Sequence, residues 1–82
     1  MRDTERNLLK LIAEASRVST HAADLLRICR GDPTFRELNE GNVEWYLGSI
    51  MERMASINGI VNTLPDPEEL YEEYSKPTTE DI

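Results

Sequence analysis

The chain has 82 residues, a net charge of −7, one histidine and one cysteine. A chain of this length forms one domain with a small core, and its lone cysteine and histidine exclude an intrachain disulfide and a Cys/His zinc site. Its acidic balance argues against direct nucleic-acid binding, which depends on Lys and Arg. No segment approaches the roughly 18 apolar residues of a membrane span, and a single unpaired cysteine fits a reducing compartment, so we predict a cytoplasmic protein without membrane association. No metal or cofactor is predicted.

The first long helix is predicted from apolar residues that recur at steps of three and four. This spacing is the heptad pattern of a coiled coil. Asp3 is a candidate N-cap, and Gly31 followed by Pro33 is a typical stop signal, so the helix should cover about residues 4–30. Its predicted core stripe is Leu8, Leu11, Ala15, Val18, Ala22, Leu25 and Cys29.

A connector at residues 31–42 leads to the second long helix. Asp32-Pro33, or Thr34 with Glu37 as a capping box, predicts one or two helical turns within it. Asn42 is expected to cap the next helix, at about 43–64, which Pro65 ends. The core stripe of this helix is Val43, Leu47, Ile50, Met54, Ile57, Val61 and Leu64. Two matched stripes predict an all-α fold built on an antiparallel helical hairpin.

A short acidic third helix is predicted over about residues 67–75, because Asp66-Pro67 combines a cap with a proline at the first helical position. It completes a hairpin domain at residues 1–75. Residues 76–82 form an acidic tail that has little to bury and should be mobile. The acidity of the protein is concentrated in the third helix and the tail together. Residues 66–82 hold seven acids and one base, whereas residues 1–65 hold nine acids and eight bases.

A second copy of the chain is expected to complete the fold. The first helix carries a second apolar stripe beside the first, which one neighbouring helix cannot cover. Two hairpins would form a four-helix bundle, so we predict a homodimer. Small residues would allow close approach of the helices. The candidate self-association residues are Leu9, Ile12, Ala15, Ala22, Leu26, Gly48, Ala55 and Gly59.

No catalytic constellation is evident. His21 has no cysteine or carboxylate at a catalytic or metal-binding spacing, and Cys29 falls in the predicted core, where it acts as a small hydrophobe. The sequence contains no Glu-x-x-His pair, phosphate loop or nucleophile elbow. Four arginines near the predicted turn are interpreted as a solvated face. We therefore predict a protein that is not an enzyme.

Two segments are candidate partner-binding surfaces. Trp45 points away from the predicted core, either as an interface anchor or packed against Phe35 or the third helix. The acidic strip of the third helix either docks this helix or presents negative charge to a basic partner. The candidate residues are Trp45, Tyr46, Glu68, Glu69, Tyr71, Glu72, Glu73 and Tyr74.

These features predict an interaction protein that regulates or inhibits a larger macromolecular partner by occupying its surface. Small acidic inhibitors of the kind that viruses direct against host machinery have this general character. One alternative is a binder of small ligands or nucleotides, with a pocket between subunits lined by His21, Arg17 or Tyr46. Another is a structural subunit of a helical assembly.

Overall fold

The computed structural model describes residues 2–75, which form three α-helices and no strands. These helices are α1 (Asp3–Cys29), α2 (Glu40–Thr63) and α3 (Pro67–Ser75). The predicted all-α class is therefore confirmed. Glu14 contacts Arg53 and His21 contacts Ser49, so α1 and α2 lie side by side and run in opposite directions. We call α1 and α2 the helix pair. The predicted acidic tail, residues 76–82, lies outside the described residues.

The helix pair is elongated and has a small interior. With α3 included, the described part of the chain spans 57 × 21 × 18 Å and has a radius of gyration of 18.3 Å, whereas a compact domain of this length has a radius of about 12 Å. Ile28 and Tyr46 are the only hydrophobic residues in the described part that are buried, with 1% and 6% of their surface exposed. None of the three helices described has a segment long and apolar enough to cross a membrane.

The inward face of α1 differs from the predicted stripe at alternate turns. Leu8, Leu11, Val18 and Leu25 are partly buried as predicted, but Ala15, Ala22 and Cys29 are exposed, so their predicted core position is wrong. The residues one position earlier, Glu14, His21 and Ile28, turn inward instead. Glu14 and His21 meet polar side chains of α2, Arg53 and Ser49, and Ile28 is buried at the end of α1.

The two ends of α1 are built differently. At its start Arg2 occupies the N-cap position without a side-chain cap, and Asp3 is already helical, so the predicted Asp3 cap is wrong. At its end Gly31 has a φ of 74°. Its N–H donates to the carbonyl of Ile28 at 3.1 Å, and the N–H of Asp32 donates to that of Arg27 at 3.0 Å. This is a Schellman motif, which confirms Gly31 as the stop residue.

Replacing Gly31 with alanine should destabilise the protein by about 1 kcal/mol, because the left-handed conformation is costly for a residue with a Cβ atom. Gly59→Ala is the matched control. Gly59 lies inside α2 with no atom within 4 Å of an added Cβ, so alanine there should stabilise by roughly 0.5–1 kcal/mol. Urea unfolding of both variants measures the difference. Equal effects of the two substitutions would contradict the role of the left-handed turn.

The connector forms a turn instead of the predicted helical segment, since residues 30–39 contain no helix. The carboxylate of Asp32 accepts hydrogen bonds from the backbone N–H of Thr34 at 2.9 Å and from its hydroxyl at 2.7 Å. These two bonds lower the pKa of Asp32 below its ordinary value. A side chain that bonds to the backbone two residues ahead favours a local turn over a helix.

The second helix begins three residues earlier than predicted. Asn39, not Asn42, is the N-cap, and its side-chain oxygen accepts from the N–H of Asn42 at 2.8 Å. The side chain of Asn42 donates to the carbonyl of Glu37 and so ties the connector to the first turn of α2. The helix ends at Thr63, before Pro65, as the sequence suggested.

Candidate interaction surfaces

One side of the helix pair is polar. Arg53 on α2 reaches Glu14 on α1 at 3.3 Å, and Glu14 also lies 3.7 Å from Arg17. Two turns further along α1, the Nδ1 atom of His21 lies 3.0 Å from the hydroxyl of Ser49. These partly buried contacts cross between the helices and fix their relative register, because a shift of either helix would separate both pairs.

Trp45 lies at the connector end of this polar side. Its ring makes edge contacts with those of His21 and Tyr46, with centroids 5.7 and 4.9 Å apart, and the guanidinium of Arg36 lies 5.4 Å from the ring. Trp45 was expected to contact Phe35, the third helix or a partner, but the aromatic rings beside it belong to the helix pair. About half of its surface is nevertheless exposed. It supports the helix pair and retains area for another contact.

The contact between Ser49 and His21 is the arrangement here that most resembles catalytic chemistry. A serine nucleophile needs a base that is itself oriented by a third group. The aromatic rings of Trp45 and Tyr46 flank the imidazole. In the described part of the chain, no group of three His, Cys, Asp or Glu residues is placed to hold a metal ion. The geometry of this cluster is that of a packed polar layer between helices.

The opposite side of the helix pair is exposed and, over residues 8–29 of α1 and 47–61 of α2, lacks charge; Glu44, which follows the inward Val43, lies beyond it near the start of α2. Each large apolar residue on it follows directly after an inward residue, as Ile12 follows Leu11 and Met51 follows Ile50. Ile12 and Met51 expose 63% and 73% of their surface. We call this surface the uncharged face. Its exposed residues are Leu9, Ile12, Ala15, Ser16, Ser19, Ala22, Ala23, Leu26 and Cys29 on α1, and Leu47, Met51, Met54, Asn58 and Val61 on α2.

The two parts of the uncharged face form one continuous surface. One residue further along an α-helix is a turn of about 100° in a fixed sense. Two antiparallel helices that face each other are related by a twofold axis perpendicular to the plane that contains both helix axes. This symmetry exchanges the helices but leaves each side of the plane unchanged, so the same rotation leads to the same side on both helices. Residues that follow the inward positions on α1 and on α2 therefore share a side. This side carries seven of the large exposed hydrophobic residues.

The third helix is attached to α1 through polar side-chain ends. Arg2 lies 3.3 Å from Glu73, and the hydroxyl of Tyr74 donates to Glu5 at 3.3 Å. The guanidinium of Arg2 also lies 5.2 Å from the ring of Tyr74. Between the two helices is an open, mainly apolar cleft of about 530 Å³, lined by Leu8, Pro67, Leu70, Tyr71, Tyr74 and Ser75. The third helix therefore rests on few contacts.

Tyr74 should titrate at higher pH than an ordinary tyrosine. Partial burial and the negative charge of Glu5 raise its pKa above the ordinary value near 10. The neutral phenol is favoured in the docked state, so its stabilising contribution is complete below the unfolded pKa and is lost as pH rises through the raised folded pKa.

The absorbance of tyrosinate measures this titration. The difference between the wild type and Tyr74→Phe should titrate above about pH 10 in the native protein and return to the ordinary value in concentrated urea. A difference curve with the same midpoint in both solvents would show that Tyr74 is not held against α1.

The outer surface of α3 is acidic and carries an exposed aromatic ring. Glu68, Glu69 and Glu72 are exposed, and Tyr71 between them exposes 74% of its surface. Glu73 and Tyr74 face α1 through the contacts with Arg2 and Glu5. The predicted acidic strip therefore divides into a docking edge and a free edge.

The sequence predicts only part of the uncharged face. Leu9, Ile12, Ala15, Ala22 and Leu26 were candidates and lie on it. On α2, Met51 was missed, while Leu47, Met54 and Val61 were placed in the predicted core and are about half exposed. The signal that would have located them is their position directly after an inward residue.

The remaining self-association candidates lie beside or beyond this face. Gly48 and Ala55 border the uncharged face on α2, and Gly59 lies further around this helix. An added Cβ atom at Gly48 or Gly59 would meet nothing within 4 Å. Within the described chain, neither glycine is required for close packing.

Comparison of the chain with protein-family models, curated proteins and solved structures finds no significant match.

Proposed function

We propose that this protein is a non-catalytic interaction protein. In this proposal it acts as a homodimer of helical hairpins that form a four-helix bundle, and it regulates or inhibits a larger partner by occupying the partner's surface. The uncharged face is the observation that carries the proposal. A continuous apolar surface of this extent on a small protein is characteristic of a contact with another chain.

The energy available from the uncharged face is sufficient for a dimer. Complete burial of a Leu, Ile, Val or Met side chain contributes roughly 1.5–3 kcal/mol, so covering the exposed half of seven such residues contributes about 5–10 kcal/mol per copy. Two copies together contribute about twice this amount, against an association cost of about 4–15 kcal/mol. In the described part of the chain only Ile28 and Tyr46 are buried hydrophobic residues. A second copy would enlarge this small hydrophobic core by covering the uncharged face.

The free edge of α3 is the surface proposed to contact the larger partner. Residues 66–75 contain five acids and no base. Negative charge on one edge of a helix raises the association rate with a basic surface and contributes to specificity. Tyr71 lies among these acids and supplies apolar area of the kind that anchors an interface.

Affinity capture with matched variants tests this proposal. The triple variant E68Q/E69Q/E72Q removes the free charges of α3 and leaves the Glu73 contact with Arg2 intact. A genuine partner should bind the wild-type protein, be lost with this variant and with Tyr71→Ala, and bind more weakly as salt is raised.

The variant E37Q/E40Q/E44Q is the control, because it removes the same charge at the connector end of the molecule. Retention of the partner by this control and its loss with the α3 variant would support the assignment. Equal capture by both triple variants would show that α3 is not the recognition surface, and the absence of any stoichiometric partner would contradict the proposed function.

A further inference from the structure

The uncharged face of α1 has a palindromic order of side-chain size. Reading outward from Ser19 in both directions gives two small residues and then a large one; the outermost pair, Leu9 and Cys29, departs from this order because leucine is large and cysteine is small. The positions that correspond are Ser16 with Ala22, Ala15 with Ala23, Ile12 with Leu26, and Leu9 with Cys29. All of these residues are exposed.

A twofold contact between two antiparallel copies of α1 would bring each of these corresponding positions together. In an isologous interface residue i contacts residue j, and j contacts i. With Ser19 on the axis, the small residues near the centre allow the backbones to approach closely. Ile12 of one copy then packs against Leu26 of the partner subunit on both sides of the centre.

The second helix fits the same axis. The contacts of Glu14 with Arg53 and of His21 with Ser49 place Ser19 at the level of residues 48–51 on α2. Leu47 and Met51 lie on either side of the middle of this range, and both expose large apolar area. The same rotation that pairs two copies of α1 therefore brings Leu47 of one copy near Met51 of the partner subunit.

The charge distribution distinguishes this arrangement from the other twofold solution. If the twofold axis ran along the helices, α1 would pack on the α2 helix of the partner, and both connectors would lie at one end. The connector half of the molecule, residues 17–51, holds four bases and five acids, whereas residues 2–16 and 52–75 hold four bases and nine acids. An axis along the helices brings together two ends of charge −5.

The antiparallel arrangement avoids this repulsion. It places the −5 end of each copy beside the −1 end of the other. The two acidic ends are then separated by roughly the 40 Å length of α1, several times the Debye length of about 8 Å at physiological ionic strength.

We infer that two copies of this chain pair through their uncharged faces with the two α1 helices antiparallel, Ser19 lying on the twofold axis and Ile12 of each copy against Leu26 of the partner subunit. This inference rests on the proposed homodimer and specifies its geometry. It also predicts that the two α3 helices occupy opposite ends of the dimer and present two separated acidic surfaces.

Cysteine cross-linking tests the geometry in the full-length protein. A disulfide requires Cα atoms about 4.4–6.8 Å apart. In the background Cys29→Ser, the variant Ser19→Cys should form a disulfide-linked dimer under mild oxidation. The adjacent variant Thr20→Cys in the same background is the matched control and should cross-link at least about ten times more slowly, because position 20 lies on the outer side of α1 and its Cα atoms stay beyond that range.

The native Cys29 supplies the opposite test. In the antiparallel dimer the two copies of Cys29 lie at opposite ends and cannot meet, whereas an axis along the helices would place them at the same end. Two results would overturn the antiparallel arrangement in a protein that light scattering shows to be a dimer. One is rapid disulfide formation through Cys29, and the other is equal rates of cross-linking for the variants at positions 19 and 20. Neither result would contradict the proposed homodimer. A monomer by light scattering would overturn the proposed homodimer itself.

A charge pair provides a second measurement that does not depend on oxidation. Ile12→Lys and Leu26→Glu should each weaken the dimer at least about tenfold, because each places an unpaired charge in the interface. The double variant should recover most of this loss, because the introduced lysine of each copy would meet the introduced glutamate of the partner subunit. Positions 12 and 26 are about four turns apart within one copy, so the two new side chains cannot pair internally. Additive losses in the double variant would contradict the assigned contact.

Discussion

Replacing Ile12 with glutamate should convert the protein from a dimer to a monomer at micromolar concentration. Ile12 exposes 63% of its surface on the uncharged face, and this face offers no base to pair with a carboxylate. The substitution would bury two unpaired charges in each dimer. We expect the dissociation constant to rise by about 100-fold or more, which corresponds to about 3 kcal/mol or more.

The matched control for this prediction is Ala13→Glu. Ala13 is the next residue of α1, is exposed, and lies on the outer side of the helix, so the same charge enters the same helix without entering the proposed interface. Light scattering over a concentration series measures the mass of both variants. If Ile12→Glu and Ala13→Glu dissociate at the same concentration, the uncharged face is not the dimer interface.

The sequence is most informative about where helices begin and end when a single strong signal decides the boundary. Gly31 and Pro65 end the long helices as predicted, because neither residue has an equivalent alternative nearby. The predicted start of α2 is wrong because Asn39 and Asn42 are both good caps. The choice between them depends on a bond from Asn42 to the carbonyl of Glu37, which requires the folded connector.

The inward residues of α1 could be predicted from the sequence only to within one position at every second turn of the helix. Heptad counting assigns Ala15 and Ala22 to the core as readily as their neighbours, since the two choices differ by one residue in register. Which residues turn inward depends on the opposite helix, where Arg53 and Ser49 provide partners for Glu14 and His21. This information is not local to α1. The same shift exposes the residues of α2 that complete the uncharged face.

Replacing Ile28 with alanine should cause the largest loss of stability of any truncation of an aliphatic side chain in the helix pair. Ile28 exposes only 1% of its surface and packs at the end of α1, where the connector turns back toward α2. Truncation of a buried isoleucine costs about 2–5 kcal/mol. The cleft beside it, of about 320 Å³, is lined by Phe35 and Leu38 and allows partial collapse, so we expect about 3 kcal/mol.

Such a loss is a large part of the roughly 5–15 kcal/mol that stabilises a typical domain. Urea unfolding followed by circular dichroism measures it, at one fixed protein concentration because dimerisation contributes to stability by mass action. Leu38→Ala is the control, since Leu38 lies in the same cleft with 54% of its surface exposed and should cost less than about 1 kcal/mol. Both substitutions remove an aliphatic side chain from the same cleft. The difference between their free energies of unfolding therefore reports the effect of burial and not of side-chain size. A similar cost for the two would mean that the connector end carries no packed interior, and that the helix pair depends for its stability on the second copy.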